Sequence, residues 1–410
     1  MGRRERDAPG VFAGLNVLEL GSGAAGPVAT RYLAEQGARV VRIESARRPD
    51  FLRVLFLTKD SKFGLDGSPM YVLLNPDKES VAINMAAPEG VDLVQRLVGW
   101  ADVVAENFSP GVMAKWGLDW DGIRALRPDA VFVSGCLFGQ TGPQRRYPGF
   151  GGQGSAIAGF NHLTGWPDRE AHGPYGTITD SLSPRYVAVA VVAALLERRR
   201  TGRGRHIDLS QIEAGVYSLS EMIVRQSANG ESEIRRGNRS ERAAPHGVYP
   251  CRGRDQWIAI AVEDDDAWRA LVAALGDPEW AHAPGLARAA GRLAREAELD
   301  RQIAAFTSAE DAPALADRLQ AAGVPAGPVQ DFADLLEDPQ LAHRGHFVPL
   351  RHVHLGELLF ERSGLRLSES PGGFERPGPN LGEHTREVLG GVLGLSDAEI
   401  ADLAAHEVLV

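Results

Sequence analysis

The 410-residue chain predicts an α/β fold with a parallel sheet. Strand-like and helix-like runs alternate from the start, with turn residues between them, and repeated alternation implies a parallel sheet covered on both faces. The first unit reads LNVLEL, then the turn GSGAAGP, then VATRYLAEQ closed by Gly37, then ARVVRIE. Gly37 stands where a helix C-terminus takes a left-handed residue, and Pro27 is tolerated in a first helical turn. The pattern recurs as SVAINM, PEGVDLVQRLVGW, DVVAEN, GLDWDGIRALRPD and AVFVSGC. A Gly-rich stretch from Pro148 to Gly165 then leads to SPRYVAVAVVAALLERRRTG, expected as one buried helix. Ser183-Pro184 would start that helix, and its Arg-rich end would be capped by Gly202.

These signals describe a Rossmann-like large domain whose first part spans 11–226. A segment without apolar periodicity, 227–245, reads as a linker. A smaller α/β domain follows at 246–322, with a strand pair, Ala-rich helices, and Trp257 and Trp268 expected in its core. A second turn-rich linker covers 323–383, and helices in 384–410 complete the large domain. Ser396 with Glu399 three residues on is a capping-box start. Met1 to Gly10 reads as a frayed tail.

Composition narrows the function classes. Lys and Arg number 44 against 54 Asp and Glu, a net charge of −10, so a general electrostatic grip on nucleic acid or an anionic membrane is not expected. Any polyanionic ligand then needs a local basic patch, and Arg42, Arg47, Arg48 and Arg53 lie near the first βαβ unit. The longest apolar run, Tyr186 to Leu196, is too short to span a bilayer. Only Cys136 and Cys251 occur, which argues against a disulfide framework and for a reducing, cytoplasmic setting. The run His343, His346, His352 and His354 invites a metal, but no Cys or carboxylate pattern completes a ligand set. The reading there is no metal, with histidines facing solvent or a substrate mouth.

GSGAAG, Gly21 to Gly26, follows a strand and opens a helix, with Glu44 at the end of the next strand. That spacing satisfies the dinucleotide-binding fingerprint and keeps an NAD-dependent oxidoreductase in view. Asp180 sits just before the expected helix start, where a helix N-terminus favours an ionised carboxylate; such a group can cap the helix or attack a carbonyl carbon.

The string AAGPVATRYLAEQGARVVRIE resembles the opening of the family III CoA-transferases, the CaiB/BaiF family. Further matches are NPDKESVAINMAAPEG, ADVVAENFSPGVMAKWGLDW, GQTGPQRRYPGF, TITDSLSPR, LLERRRTGRGRHIDLSQIEA and LGEHTREVLGGVLGLSDAEI, together covering nearly the whole chain. The resemblance implies transfer of CoA from an acyl-CoA donor to a carboxylic acid, with Asp180 as nucleophile. It implies aspartyl anhydride and aspartyl-CoA thioester intermediates, CoA as substrate and no tightly bound cofactor. By motif position the CoA contacts fall on Ala24 and Ala25, Ser45, Ile83, Asn84, Met85 and Ala86, Asn107, Phe108 and Ser109, Lys115, and Pro148, Gly149, Phe150 and Gly151, with Arg42 added from the basic cluster. Two positions depart from formyl-CoA transferase: Ala24, where that enzyme has a polar side chain near the reacting carbonyl, and Ser45, where it has an arginine. RSERAAPH replaces a glycine run that closes over its active site, so formate and oxalate are not the expected acids. The racemase branch carries a His-Asp pair after a Gly at the turn that here reads Gly149, Phe150, Gly151, which leaves racemization without one acid/base partner. The resemblance also implies an interlocked homodimer, while heteromeric relatives keep a noncatalytic CoA-binding subunit as an alternative.

Overall fold

The computed structural model describes residues 10–55 and 57–410; the first nine positions of the expected N-terminal tail lie outside them. Six strands form one sheet: β1 (Asn16–Leu20), β2 (Arg39–Glu44), β3 (Lys78–Ala82), β4 (Val103–Glu106), β5 (Val131–Cys136) and β6 (Arg205–Ser210). Their order is β3-β2-β1-β4-β5-β6, and every neighbouring pair is parallel. This is the strand order of the doubly wound dinucleotide-binding fold.

The helices accompanying the sheet are α1 (Ala25–Glu35), α2 (Phe51–Val54), α3 (Pro69–Leu74), α4 (Pro88–Trp100), α5 (Trp120–Leu126), α6 (Gly151–Ile157), α7 (Phe160–Leu163), α8 (Ile178–Thr201), α9 (Gln211–Tyr217) and α10 (Ser220–Asn229). Strand alternation sends Leu18, Val41, Val81, Val104 and Phe132 to one face, where Leu93, Val94, Leu97 and Val98 of α4 cover them. The opposite residues, Val17, Val40, Val103, Val131 and Val133, meet Leu33 of α1 and Val187, Val191 and Ala194 of α8. Both faces of the sheet are covered by helices, and most of the residues buried between are apolar. α4 starts on Pro88 with Glu89 in its first turn, both favoured there.

α8 departs from the expectation. It begins at Ile178 after the N-cap Thr177, well before Ser183-Pro184, so Asp180 lies inside its first turn and Pro184 inside the helix. Pro184 has no N–H and cannot donate to the Asp180 carbonyl four residues back. Among the described residues α8 is the one helix long and apolar enough to cross a bilayer by length and composition.

The chain divides into two compact units. One runs through Asn161 and adds Gly173–Ser232 and His343–Val410; the other is His162–His172 with Glu233–Ala342. The second unit holds an antiparallel sheet of β7 (His246–Pro250), β8 (Trp257–Ala261) and β9 (Ala326–Pro328) with α11 (Asp265–Ala274), α12 (Ala289–Ala294), α13 (Glu296–Thr307) and α14 (Ala312–Ala321). Trp268 is in its core at 3% exposure, but Trp257 is 37% exposed and donates to Asp255 at 2.8 Å. The alternation along β8 turns Ile258 and Ile260 inward and Trp257 outward.

The stretch expected as a second linker carries β9, α15 (Phe332–Glu337), α16 (Pro339–His343) and a hairpin of β10 (Phe347–His352) and β11 (Gly356–Glu361). α17 (Thr385–Leu393) and α18 (Asp397–Ala405) close the first unit, with Val388, Leu389 and Val408 packed into the α4 side of the sheet. The Ser396–Glu399 capping box is formed in both directions.

Candidate active site at the carboxyl end of the sheet

The strand order reverses between β1 and β4, and open parallel sheets bind ligands outside the strand ends at such a point. Here the loops after β1 and β4 are tied together by Asn107. Its Oδ1 accepts the Ser22 N–H at 3.0 Å and its Nδ2 donates to the Ser22 carbonyl at 2.8 Å. A Cβ on Gly21 would stand 2.1 Å from Asn107 Oδ1, and one on Gly26 would stand 2.8 Å from Asn107 Cγ. These glycines of the apparent dinucleotide fingerprint therefore make room for a side chain of the protein itself. Glu44, which a dinucleotide fold would turn towards a ribose, is buried and taken by Arg53, Tyr71 and Ser80.

Glu44 belongs to a buried ionic network on the α1 side of β1, β2 and β3. Arg42 is fully buried between Glu19 and Asp50, with a further bond to the Gly21 carbonyl at 3.0 Å. Lys78 Nζ donates to Glu19 at 2.8 Å and to Asn75 Oδ1 at 2.9 Å. Arg53 grips both oxygens of Glu44 at 3.0 Å, reaches Asp66, and lies over the Tyr71 ring. Burial alone would raise Glu44, but Arg42 and Arg53 outweigh it and hold the carboxyl at about 2. Burial pulls Lys78 down to about 8, against the opposing pull of Glu19. The expectation that Arg42 meets a phosphate is corrected: a guanidinium ion-paired with Glu19 and Asp50 and shut from solvent cannot reach one. Arg53 is removed from the basic cluster for the same reason. Arg47 and Arg48 remain exposed, Arg47 paired with Glu407. Asp50 also accepts the Gly23 N–H at 3.2 Å, so this network supports the β1–α1 loop from beneath.

Asp180 sits in different surroundings. It is partly buried in the first turn of α8, with its own N–H on the Thr177 carbonyl at 2.9 Å. Burial pushes its carboxyl up, and hydrogen bonds from the Thr177 and Gln211 side chains pull it part of the way back. Both partners are neutral. Gly151 at the start of α6 lies against it, and a Cβ there would be 2.3 Å from Asp180 Oδ2 and 2.6 Å from Thr177 Cβ. Thr179 and Ser155 both donate to the Gly151 carbonyl, at 3.1 and 2.9 Å, which fixes α6 against the start of α8. No cation neutralises this carboxyl among the groups acting on it, and an ionised carboxylate can attack a carbonyl carbon.

Sequence reasoning named Asp180 and Gly151 but missed Thr177 and Gln211. Gln211 follows β6, a polar edge strand whose sequence RHIDLS carries no strong strand signal.

The other expected contact positions lie around the same end of the sheet. Ala25 is buried in the first turn of α1 with Ala24 as its N-cap, and the Ser45 Oγ accepts the Arg47 N–H at 3.2 Å. Phe108 meets Trp116 edge to face; Ser109 and Lys115 are exposed. Beyond the exposed Pro148 and the half-buried Gly149, Phe150 stacks on Phe51 at 5.7 Å. Ile83 is buried, Met85 packs against the core, and Asn84 holds the chain end: its N–H donates to the Val408 carbonyl and its Oδ1 accepts the Ala86 N–H. Of the linker histidines, His352 is 3% exposed rather than solvent-facing, because its Nδ1 accepts the His354 and Leu355 N–H groups at a turn. No cluster of three or more possible metal ligands occurs among the described residues.

Glu106, at the end of β4, is a third kind of buried acid. Its Oε2 accepts the Phe108 N–H at 2.7 Å, and Ser134 bonds its carboxyl. Burial raises it to about 7, with Asp208 adding a like charge.

Asp180 and Gly151 meet at the end of a doubly wound sheet where such folds bind ligands, and comparison with known proteins identifies the chemistry. Residues 12–385 match the model of CoA-transferase family III, and the chain belongs to that family. It is 35% identical over 396 residues to the succinyl-CoA–D-citramalate CoA-transferase of Chloroflexus aurantiacus, covering 96% of this chain and 97% of that one. It is 32% identical over 401 residues to the beta subunit of the succinyl-CoA–L-malate CoA-transferase of the same organism, covering 97% and 98%. Among solved structures, a CaiB/BaiF family protein from Brucella suis superposes with a TM-score of 0.85 at 30% identity, covering 94% of this chain and all of that one. The resemblance read from the sequence is borne out, and the protein is a CoA-transferase acting on CoA thioesters.

Proposed function

We propose that the enzyme moves CoA from an acyl-CoA donor to a small dicarboxylic acid through covalent intermediates on Asp180. An Asp180 oxygen attacks the thioester carbonyl carbon, the C–S bond breaks, and CoA leaves as thiolate while a mixed anhydride remains. The thiolate attacks the Asp180 carbonyl carbon and expels the donor acid as carboxylate, giving an aspartyl-CoA thioester. The acceptor carboxylate then attacks that carbon and releases thiolate. Attack of the thiolate on the acceptor's acyl carbon completes the exchange and frees Asp180. Each leaving group matches its nucleophile in reactivity, so the thioester's energy is retained provided water stays out.

The observation that carries this reading is the Asp180 carboxyl held by neutral donors alone against Gly151, with no room for a larger residue there. The relatives' acids, citramalate and malate, favour a dicarboxylic acceptor. The exposed cations Arg47, Arg48 and Lys115 are candidates for the CoA phosphates. The Asn107 occupancy of Gly21 and Gly26 speaks against NAD. The Gly149–Phe150–Gly151 turn offers no second acid/base for racemization.

We further propose a homodimer. Exposed apolar side chains on α8, α9 and α10, among them Val189, Leu196, Tyr217, Ile223 and Val224, support it. A cytoplasmic setting accords with two free buried cysteines. The experiment is a screen of succinyl-CoA against dicarboxylic acids, read by mass spectrometry. Exchange with at least one C4 to C6 acid is expected, and no exchange with any would overturn the reading.

A further inference from the structure

The second unit carries a cavity that the Asp180 chemistry leaves unexplained. Its volume is about 450 Å³, within the range of small-molecule pockets, and all of its lining residues belong to that unit. The floor is the outward face of the β7–β8–β9 sheet. Tyr249, Ile258 and Ile260 turn into the core, so the alternate positions Val248, Ala259 and Ala261 face the other way and line the cavity with short apolar side chains.

The segment entering β7 forms one wall and brings Asn238, Arg239 and His246 to the cavity. That wall is pinned at both ends: the Gly237 N–H donates to the Gly165 carbonyl at 2.8 Å, and the buried Arg292 donates from Nε to the Ala244 carbonyl at 2.7 Å. Within it, His246 Nδ1 lies 2.6 Å from the Asn238 carbonyl, which only accepts, so the ring is fixed by an Nδ1–H bond. Arg239 approaches Glu296 by Nε at 3.3 Å, but Glu296 Oε1 has no hydrogen-bond partner among the described residues. This is not the two-bond fork of a fully engaged arginine and carboxylate. With its side chain 59% exposed, Arg239 keeps donors for a ligand where Arg42 has none to spare outside the core. Arg239 and His246 are the titratable residues lining the cavity, and among the described residues no Asp or Glu lines it. In a chain of net charge −10 this is a local reversal of sign.

We propose that this cavity binds a small carboxylic acid in its anionic form. The Arg239 guanidinium, whose planar fork matches a carboxylate, holds the charged end beside Asn238 and His246. The short carbon chain lies on Val248, Ala259 and Ala261. The dicarboxylic acids proposed above as acceptors belong to this class, and the grip needs nothing from Asp180.

The test titrates the full-length enzyme by calorimetry, without CoA, with succinate and with succinamide as its uncharged counterpart. Wild type should bind succinate and not succinamide. Arg239→Gln removes the charge and Ala259→Leu fills the floor; each should weaken succinate binding about 10-fold or more at an unchanged melting temperature. In transfer assays, a raised KM for the acid at unchanged kcat in Arg239→Gln would mark the bound acid as the acceptor. An unchanged KM alongside lost binding would mark it as a second acid held apart from turnover. No succinate binding by wild type, equal binding of succinamide, or affinity unaffected by both substitutions would overturn the proposal. Because binding is read without turnover, a failure of the Asp180 assignment would leave this result standing.

Discussion

Glu44 and Asp180 are both carboxyls sheltered near the carboxyl end of one sheet, and they are treated in opposite ways. Glu44 is surrounded by Arg42, Arg53, Tyr71 and Ser80, and its carboxyl is held at about 2. Asp180 has Thr177 and Gln211, and its carboxyl is raised. Cations make a buried carboxylate a structural element by stabilising its charge so far that its lone pairs lose nucleophilicity. Neutral donors leave the charge reactive while still fixing the direction of the oxygens. Glu106 shows the third possibility, an acid whose burial and whose like-charged neighbour Asp208 outweigh the Phe108 and Ser134 donors, raised to about 7.

The largest effect expected from this contrast is at Asp180. Asp180→Asn keeps the shape and one acceptor oxygen, removes the nucleophile, and should abolish CoA exchange in steady-state assays while the circular dichroism spectrum is unchanged. Arg53→Met should act on folding instead. It leaves Glu44 with one fewer cation in the interior, at a cost of about 3 to 5 kcal/mol in urea unfolding, and adding Glu44→Gln should recover part of that.

The two glutamates should also give opposite pH limbs. Glu44 ionises more readily folded than unfolded, so its contribution is present above about 4.5 and lost as pH falls towards about 2. Glu106 binds its proton more tightly when folded, so its contribution is present at low pH and lost as pH rises from about 4.5 through about 7. Glu106→Gln should therefore flatten the second limb and stabilise the protein above neutrality by up to roughly 3 kcal/mol in denaturant titrations at stepped pH. Smallest is Gly151→Ala, whose Cβ would press on Asp180 and displace it; transfer should fall about 100-fold in kcat assays, with unfolding midpoint shifted little.

Much of this was legible in the sequence because local chemistry decided it. The β1–α1–β2 unit, the limits of α4 and the Ser396 cap follow from apolar period, Pro88 and side-chain capping. The start of α8 was not legible, since Pro184 has the composition of a first-turn proline; only tertiary contact of Thr179 with Gly151 shows that the helix begins a turn and a half earlier. Arg42 looked like a surface cation because arginine usually is one. It lies on β2, an interior strand whose two faces are both covered, so its side chain had nowhere to go but the core. The glycine string was readable as a tight turn, but its occupant, Asn107, is 85 residues away from Ser22 in sequence.

A carboxyl without a cation that carries the chemistry must itself become acylated during turnover. Incubation with acyl-CoA followed by proteolysis and mass spectrometry tests it most directly. A CoA or acyl adduct on the Asp180 peptide, discharged by hydroxylamine and absent in Asp180→Asn, is the expected result. Transfer at the wild-type rate with Asp180 never modified would contradict it.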